Sequence, residues 1–97
     1  MARDPIHPGE HLREELAEIE LSVAELAAEL DVPSDRVTAL LEEREGIDGD
    51  VALRLGKYLG TAPAFWMNLQ AIYELRLAER RMGDALDRIT TRSHEVV

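Results

Sequence analysis

The segment His7-Pro8-Gly9-Glu10-His11 is the first place where residue type and spacing suggest chemistry. It matches His-x-x-Glu-His, the order used by one class of zinc peptidases, in which two histidines one helical turn apart meet a single metal. The proline works against that use. Pro8 biases His7 away from helical dihedrals, so His7 is expected outside the helix that carries His11, and no helix with a convincing third ligand follows in so short a chain. A local role fits better: Pro8 and Glu10 favour a helix start, with His7 or Glu10 as its cap. Composition closes other routes. There is no cysteine, hence no disulfide, thiolate metal site or cysteine nucleophile. With no Ser/His/Asp arrangement and no glycine-rich phosphate loop, the sequence supports neither an enzyme nor a cofactor. Phe65, Trp66 and Tyr73 could line a ligand pocket or stack on bases, but aromatics at helical spacing point to a core or to a contact between two copies. Asn68 and Gln70, polar within the same apolar run, either bond across a two-fold axis or face water.

The chain has 97 residues, 45% of them hydrophobic. That makes one domain, residues 1–97, near the lower limit for a self-sufficient core, so a homodimer sharing apolar surface is expected. Met1 leads directly into charged sequence, and no apolar run of signal-peptide or membrane-spanning length follows; with the lack of cysteine this fits a cytoplasmic protein. Lys and Arg number 11 against 20 Asp and Glu, a formal charge of -9. The excess is uneven: residues 1–30 carry 2 basic and 8 acidic groups, residues 31–60 carry 4 and 7, and residues 61–97 carry 5 and 5. Such a field opposes encounter with DNA unless one face is locally basic, and equally suits a basic protein partner.

Apolar periodicity predicts an all-α chain. Leu12, Leu16 and Ile19 follow Pro8 and mark a first helix over about 8–19. Ser22 and Glu25 form a capping box that opens a short second helix ending near Leu30. Asp31-Val32-Pro33 breaks the chain, and a third helix carries Val37, Leu40 and Leu41 inward from near Ser34 to about Arg44. Asp48 caps a fourth, with Val51, Ala52, Leu55, Tyr58 and Leu59 on its apolar side and Gly60 as its stop. The fifth opens at Thr61 and Pro63 and covers about 62–81. Its apolar residues exceed one stripe, which implies a second buried surface. Met82, Leu86 and Ile89 could extend it, and about 90–97 is expected to be a frayed tail.

Residues 23–42 fit a helix-turn-helix, placed overall at about 22–44. Ala27 is the small residue where the two helices cross. Asp31 takes the turn position that demands tolerance of positive φ, and Leu26, Leu30, Val32, Val37 and Leu40 are the apolar plugs. A plain helical hairpin is the alternative.

Three blocks carry a resemblance over about residues 5–78: Ile6-His7-Pro8-Gly9-Glu10, Gly46-Ile47 through Ala52-Leu53-Arg54-Leu55, and Tyr58-Leu59-Gly60-Thr61-Ala62-Pro63-Ala64-Phe65-Trp66-Met67-Asn68-Leu69-Gln70. They resemble the HigA antitoxins, a branch of the Cro/repressor-like (XRE) helix-turn-helix family. The last block is the most specific, because a generic repressor has no reason to follow its fourth helix with Phe-Trp-Met-Asn-Leu-Gln. The resemblance implies a five-helix, lambda-repressor-like domain with an extended C-terminal helix. It also implies dimerisation partly through that helix, at Phe65, Trp66, Leu69, Ile72 and Tyr73. The partners implied are a HigB-type RNase toxin, which the antitoxin neutralises, and the operator DNA of its own operon. The run Glu14, Glu15, Glu18 and Glu20 is then either a solvated face or a surface offered to the basic RNase.

Position within the motif gives the expected DNA contacts. Ser22 and Val23 stand where the second helix begins, and Ser34, Asp35, Arg36 and Thr38 would face the major groove. Arg36 could bond guanine bidentately, Thr38 touch a thymine methyl, and Asp35 accept only from cytosine; Arg44, with Arg3, would meet phosphates. Two departures weigh against these contacts. Val23 replaces the glutamine usual in the family, and Glu42-Glu43-Arg44-Glu45-Gly46 replaces the usual Asn-Gly-Lys-Arg-Gly. Two functional alternatives therefore stand beside the antitoxin: a stand-alone XRE-type regulator, and a protein-only interaction module that has lost operator binding.

Overall fold

Helix α1 (Pro8–Ile19) begins where the sequence places it, and the computed structural model, which describes residues 4–93, gives the reason. His7 is extended and its Nδ1 accepts the Gly9 amide at 2.9 Å, so the histidine is the cap. The helix ends at Glu20 in the left-handed region. Helix α2 (Val23–Leu30) opens with both halves of the capping box: the Glu25 amide donates to Ser22 Oγ at 3.1 Å and the Ser22 amide to Glu25 Oε1 at 2.9 Å. That second bond holds the Glu25 carboxyl below its ordinary pKa. Asp31 takes φ 58° at the C-cap, the left-handed conformation the turn needs.

Helix α3 (Ser34–Leu41) stops before Arg44, earlier than its helix-forming sequence suggests. Glu43 turns the chain with φ 61°, and the Arg44 amide reaches back to the Ala39 carbonyl. Arg13 of α1 takes the exposed carbonyl of Leu41, so a neighbouring helix satisfies the end of α3. Helix α4 (Gly49–Leu59) is capped by Asp48, whose Oδ1 accepts the Val51 amide at 2.9 Å, and ends at Gly60 with φ 74°. Val51, Ala52 and Leu55 face inward as expected, whereas Tyr58 is on the surface. Helix α5 (Pro63–Met82) has Trp66 as its one fully buried side chain. The chain then breaks at Gly83 (φ 53°) into a 3-10 turn, Gly83–Arg88, so the helix takes in Met82 but not Leu86 or Ile89. Residues 90–93 have no regular structure, and the rest of the expected tail lies outside the described residues.

The core gathers Leu12 and Leu16 of α1, Leu26 and Leu30 of α2, Leu40 of α3, Leu55 of α4 and Trp66 of α5. α2 packs on α3, and α1 braces both α3 and α5. The brace is tight: a β-carbon on Gly9 would come within 2.1 Å of the Leu40 carbonyl oxygen. The outer part of α5 lies beyond this core. The radius of gyration is 17.0 Å, against about 13 Å for a compact domain of 100 residues. Ile72 and Leu75 remain 43% and 65% exposed. No helix among the described residues is long and apolar enough to cross a membrane.

Candidate nucleic-acid interface

The helix pair α2–α3 is built as the motif requires. Ala27, 3% exposed, lies where a larger side chain would separate the helices, and Leu26, Leu30, Val37 and Leu40 are buried beneath it. Pro33 starts α3 without a side-chain cap, so the amides of its first turn have no side-chain partner from the capping residue. Ser34 and Asp35 are exposed on this turn and Thr38 is half-buried one turn on. Ser22 is exposed at the start of α2, but its hydroxyl already accepts the Glu25 amide. Val23 is half-buried and packs against the core.

The arginines are arranged differently from expectation. Arg36 does not extend toward a groove: Nη2 donates to the Gly46 carbonyl at 2.9 Å, Nη1 lies 3.0 Å from Glu45 Oε1, and Asp48 Oδ2 is 3.8 Å away. No local pattern signals this, because its three partners lie nine to twelve residues downstream in a loop. Arg44 is exposed and forms an ion pair with Glu42 at 2.9 Å, so its charge is locally matched. Such an exposed pair contributes about 0–1 kcal/mol and is readily exchanged for a phosphate. Arg3 lies outside the described residues.

Three further residues position this surface, and of them the sequence drew notice only to Gln70. Arg54 donates to the Leu30 and Asp31 carbonyls at 2.7 and 3.2 Å, closing the end of α2, while its Nε pairs with Asp50. Only the spacing of Asp50 and Arg54, one helical turn, was legible beforehand. Gln70 is engaged within the protomer: its Oε1 accepts the Ile47 amide at 2.7 Å and its Nε2 donates to Glu74. Arg13 secures the end of α3, as described above.

His7 and His11 do not form a metal pair. The His7 ring is buried, spends Nδ1 on Gly9, and meets Tyr73 edge-on at 4.9 Å between centroids. Burial lowers its pKa despite opposing effects from Glu43, the Glu45 backbone and Glu10. Among the described residues no group of three His, Cys, Asp or Glu is placed to hold a metal ion.

On α5, Phe65 and Ile72 are 45% and 43% exposed, while Leu69 and Tyr73 are half-buried. Trp66 departs from its expected place at a dimer contact. It is 2% exposed, its indole Nε1 donates to Thr61 Oγ1 at 2.9 Å, and it belongs to the core of the single chain. A buried indole needs a partner for its N–H, and Thr61 at the head of the helix supplies it.

Comparison with known proteins agrees with this architecture. No family model matches the chain. It is 45% identical to virulence-associated protein I of Dichelobacter nodosus over 76 residues, covering 77% of this chain and 70% of that protein. The structure of an addiction module antidote protein of a HigA family from Coxiella burnetii superposes with a TM-score of 0.89 at 42% identity, covering 94% of this chain and all of that one. The Pseudomonas aeruginosa antitoxin HigA, solved with the higBA promoter, gives a TM-score of 0.84 at 43% identity, with 90% and 96% of the two chains covered. With this level of identity and structural likeness across nearly the whole of a five-helix chain, the protein belongs to the HigA family of helix-turn-helix antitoxins.

Proposed function

We propose that this chain is the antitoxin of a HigBA-type pair: a cytoplasmic homodimer without enzymatic activity that neutralises an RNase toxin by protein contact and represses its own operon. The observation that carries the reading is the exposed first turn of α3, on a backbone that matches an antitoxin solved with its promoter. Ser34, Asp35 and Thr38 are the residues it offers to base edges, with Arg44 and the amino-terminal end of α2 at Ser22 and Val23 toward the backbone. The exposed apolar side of α5, with Phe65 and Ile72, is the surface proposed for the second copy.

The acidic partners of Arg36 and Arg44 favour a second reading, an antitoxin that acts through protein contacts alone. Fluorescence anisotropy of the purified protein against its own upstream promoter, beside a scrambled duplex and across a salt series, separates the two. Promoter-specific binding that weakens at least roughly tenfold between 50 and 200 mM salt is the expected result, because phosphate contacts release counterions. Absence of binding at low salt from a folded protein would refute autorepression by the antitoxin alone. Co-purification with a basic protein encoded beside it tests the toxin partner and distinguishes the antitoxin from a stand-alone regulator.

A further inference from the structure

Arg36 sits in the first half of α3, yet its guanidinium is committed to the loop that follows the helix. It touches the Gly46 carbonyl and the carboxylates of Glu45 and Asp48, and only 23% of the side chain is exposed. Asp48 uses its other oxygen to cap α4, so one carboxylate joins Arg36 to the start of the next helix. The same loop is approached from two other sides. Gln70 of α5 accepts the Ile47 amide, and the His7 ring at the head of α1 lies close enough to the Glu45 backbone to feel its field. Side chains from α3 and α5 thus converge on four consecutive residues, 45–48.

A planar guanidinium is suited to hold a carbonyl and two carboxylates at once. Swinging Arg36 into a groove would strip all three partners and leave Glu45 and Asp48 as unmatched negative charges beside DNA phosphates, which opposes binding. We infer that Arg36 is a positioning residue: it fixes the 45–48 loop and offsets part of the charge of its two carboxylates, so that Arg44 is presented beyond the end of α3, and it reads no base. Base reading falls to Ser34, Asp35 and Thr38, a set without the bidentate guanine contact that arginine supplies. The inference rests on the operator reading only for its effect on DNA; the clamp itself is a property of the free protein.

The test measures Arg36→Ala and Arg36→Lys against the promoter duplex and against duplexes carrying each single base-pair change, over a salt series. Amide hydrogen exchange of the free proteins is followed at Ile47 and Val51. Arg36→Ala is expected to weaken binding to every duplex by a similar factor, to leave the salt slope unchanged, and to speed exchange at both amides by roughly tenfold. Adding Glu45→Gln to Arg36→Ala is expected to recover part of the affinity, since the freed carboxylate is then gone. One base pair whose identity ceases to matter in either variant would show a base contact and overturn the inference. So would a salt slope reduced by about one, the signature of a direct phosphate contact. If Arg36→Ala does not fold, Arg36→Lys, which keeps the charge, decides the base-pair profile. Failure of the unsubstituted protein to bind the promoter would instead sink the operator reading, and the exchange rates would then decide the clamp: unchanged rates overturn it.

Discussion

One imidazole ring ties three parts of this molecule together. His7 caps α1 through Nδ1, packs on Tyr73 of α5, and feels the field of the Glu45 backbone beyond α3. Burial places its folded pKa below the ordinary 6.5, outweighing Glu43, the Glu45 backbone and Glu10, which all act to raise it. The unfolded chain therefore takes up the proton more readily than the folded one, and the stability due to neutral His7 is complete above about pH 6.5 and lost as pH falls through the folded value. Thermal unfolding between pH 7 and pH 5 is expected to show Tm falling on the acid side. His7→Asn, which can still cap the helix but does not titrate there, should flatten the fall. Parallel curves for the two proteins would remove His7 as the titrating group. The cap itself was legible from His7-Pro8, since capping is local. The burial, the aromatic contact and the link to Glu45 were not, because all depend on residues dozens of positions away.

At the level of elements, boundaries set by local chemistry were readable and those set by packing were not. The Ser22–Glu25 box, Asp31 at positive φ, Asp48 and Gly60 all act within four residues, and each stands where the sequence places it. The end of α3 differs, since Glu42, Glu43 and Arg44 are good helix formers in isolation. Arg13 on the Leu41 carbonyl and the clamp on residues 45–48 decide it, drawing the chain into a left-handed turn at Glu43. The capping box offers a measurable consequence. Ser22→Ala removes the acceptor for the Glu25 amide at the head of α2 and is expected to cost about 1 kcal/mol. For a domain of this size that lowers Tm by about 4–8 °C. Calorimetry or thermal circular dichroism checks it, and a Tm within 1 °C of the parent, a margin well under that shift of about 4 °C, would mean that tertiary contacts alone hold this end of the helix.

For the whole molecule, the surplus of apolar residues on the fifth helix implies a second surface to be covered; within the single chain that helix buries Trp66 and leaves Phe65, Ile72 and Leu75 exposed, a division sequence alone could not make. Periodicity treats Trp66 and Ile72 alike. The fold separates them: Trp66 is sealed within the protomer, with its N–H on Thr61, while Ile72 stands 43% exposed on the projecting helix. The two should therefore fail in different ways. Ile72→Glu places a charge on the face proposed for the second copy, where an unpaired carboxylate resists desolvation. It is expected to halve the mass seen by light scattering while leaving a folded, helical chain. Trp66→Ala opens a cavity in the core and is expected to cost about 3–5 kcal/mol, unfolding much of the population. Since each protomer carries a net -9, assembly also brings like charges together, and the dimer of the parent protein should tighten with added salt. If Ile72→Glu keeps the mass of the parent at low micromolar concentration, the two-fold contact lies elsewhere, and the exposed side of α5 is left for the toxin.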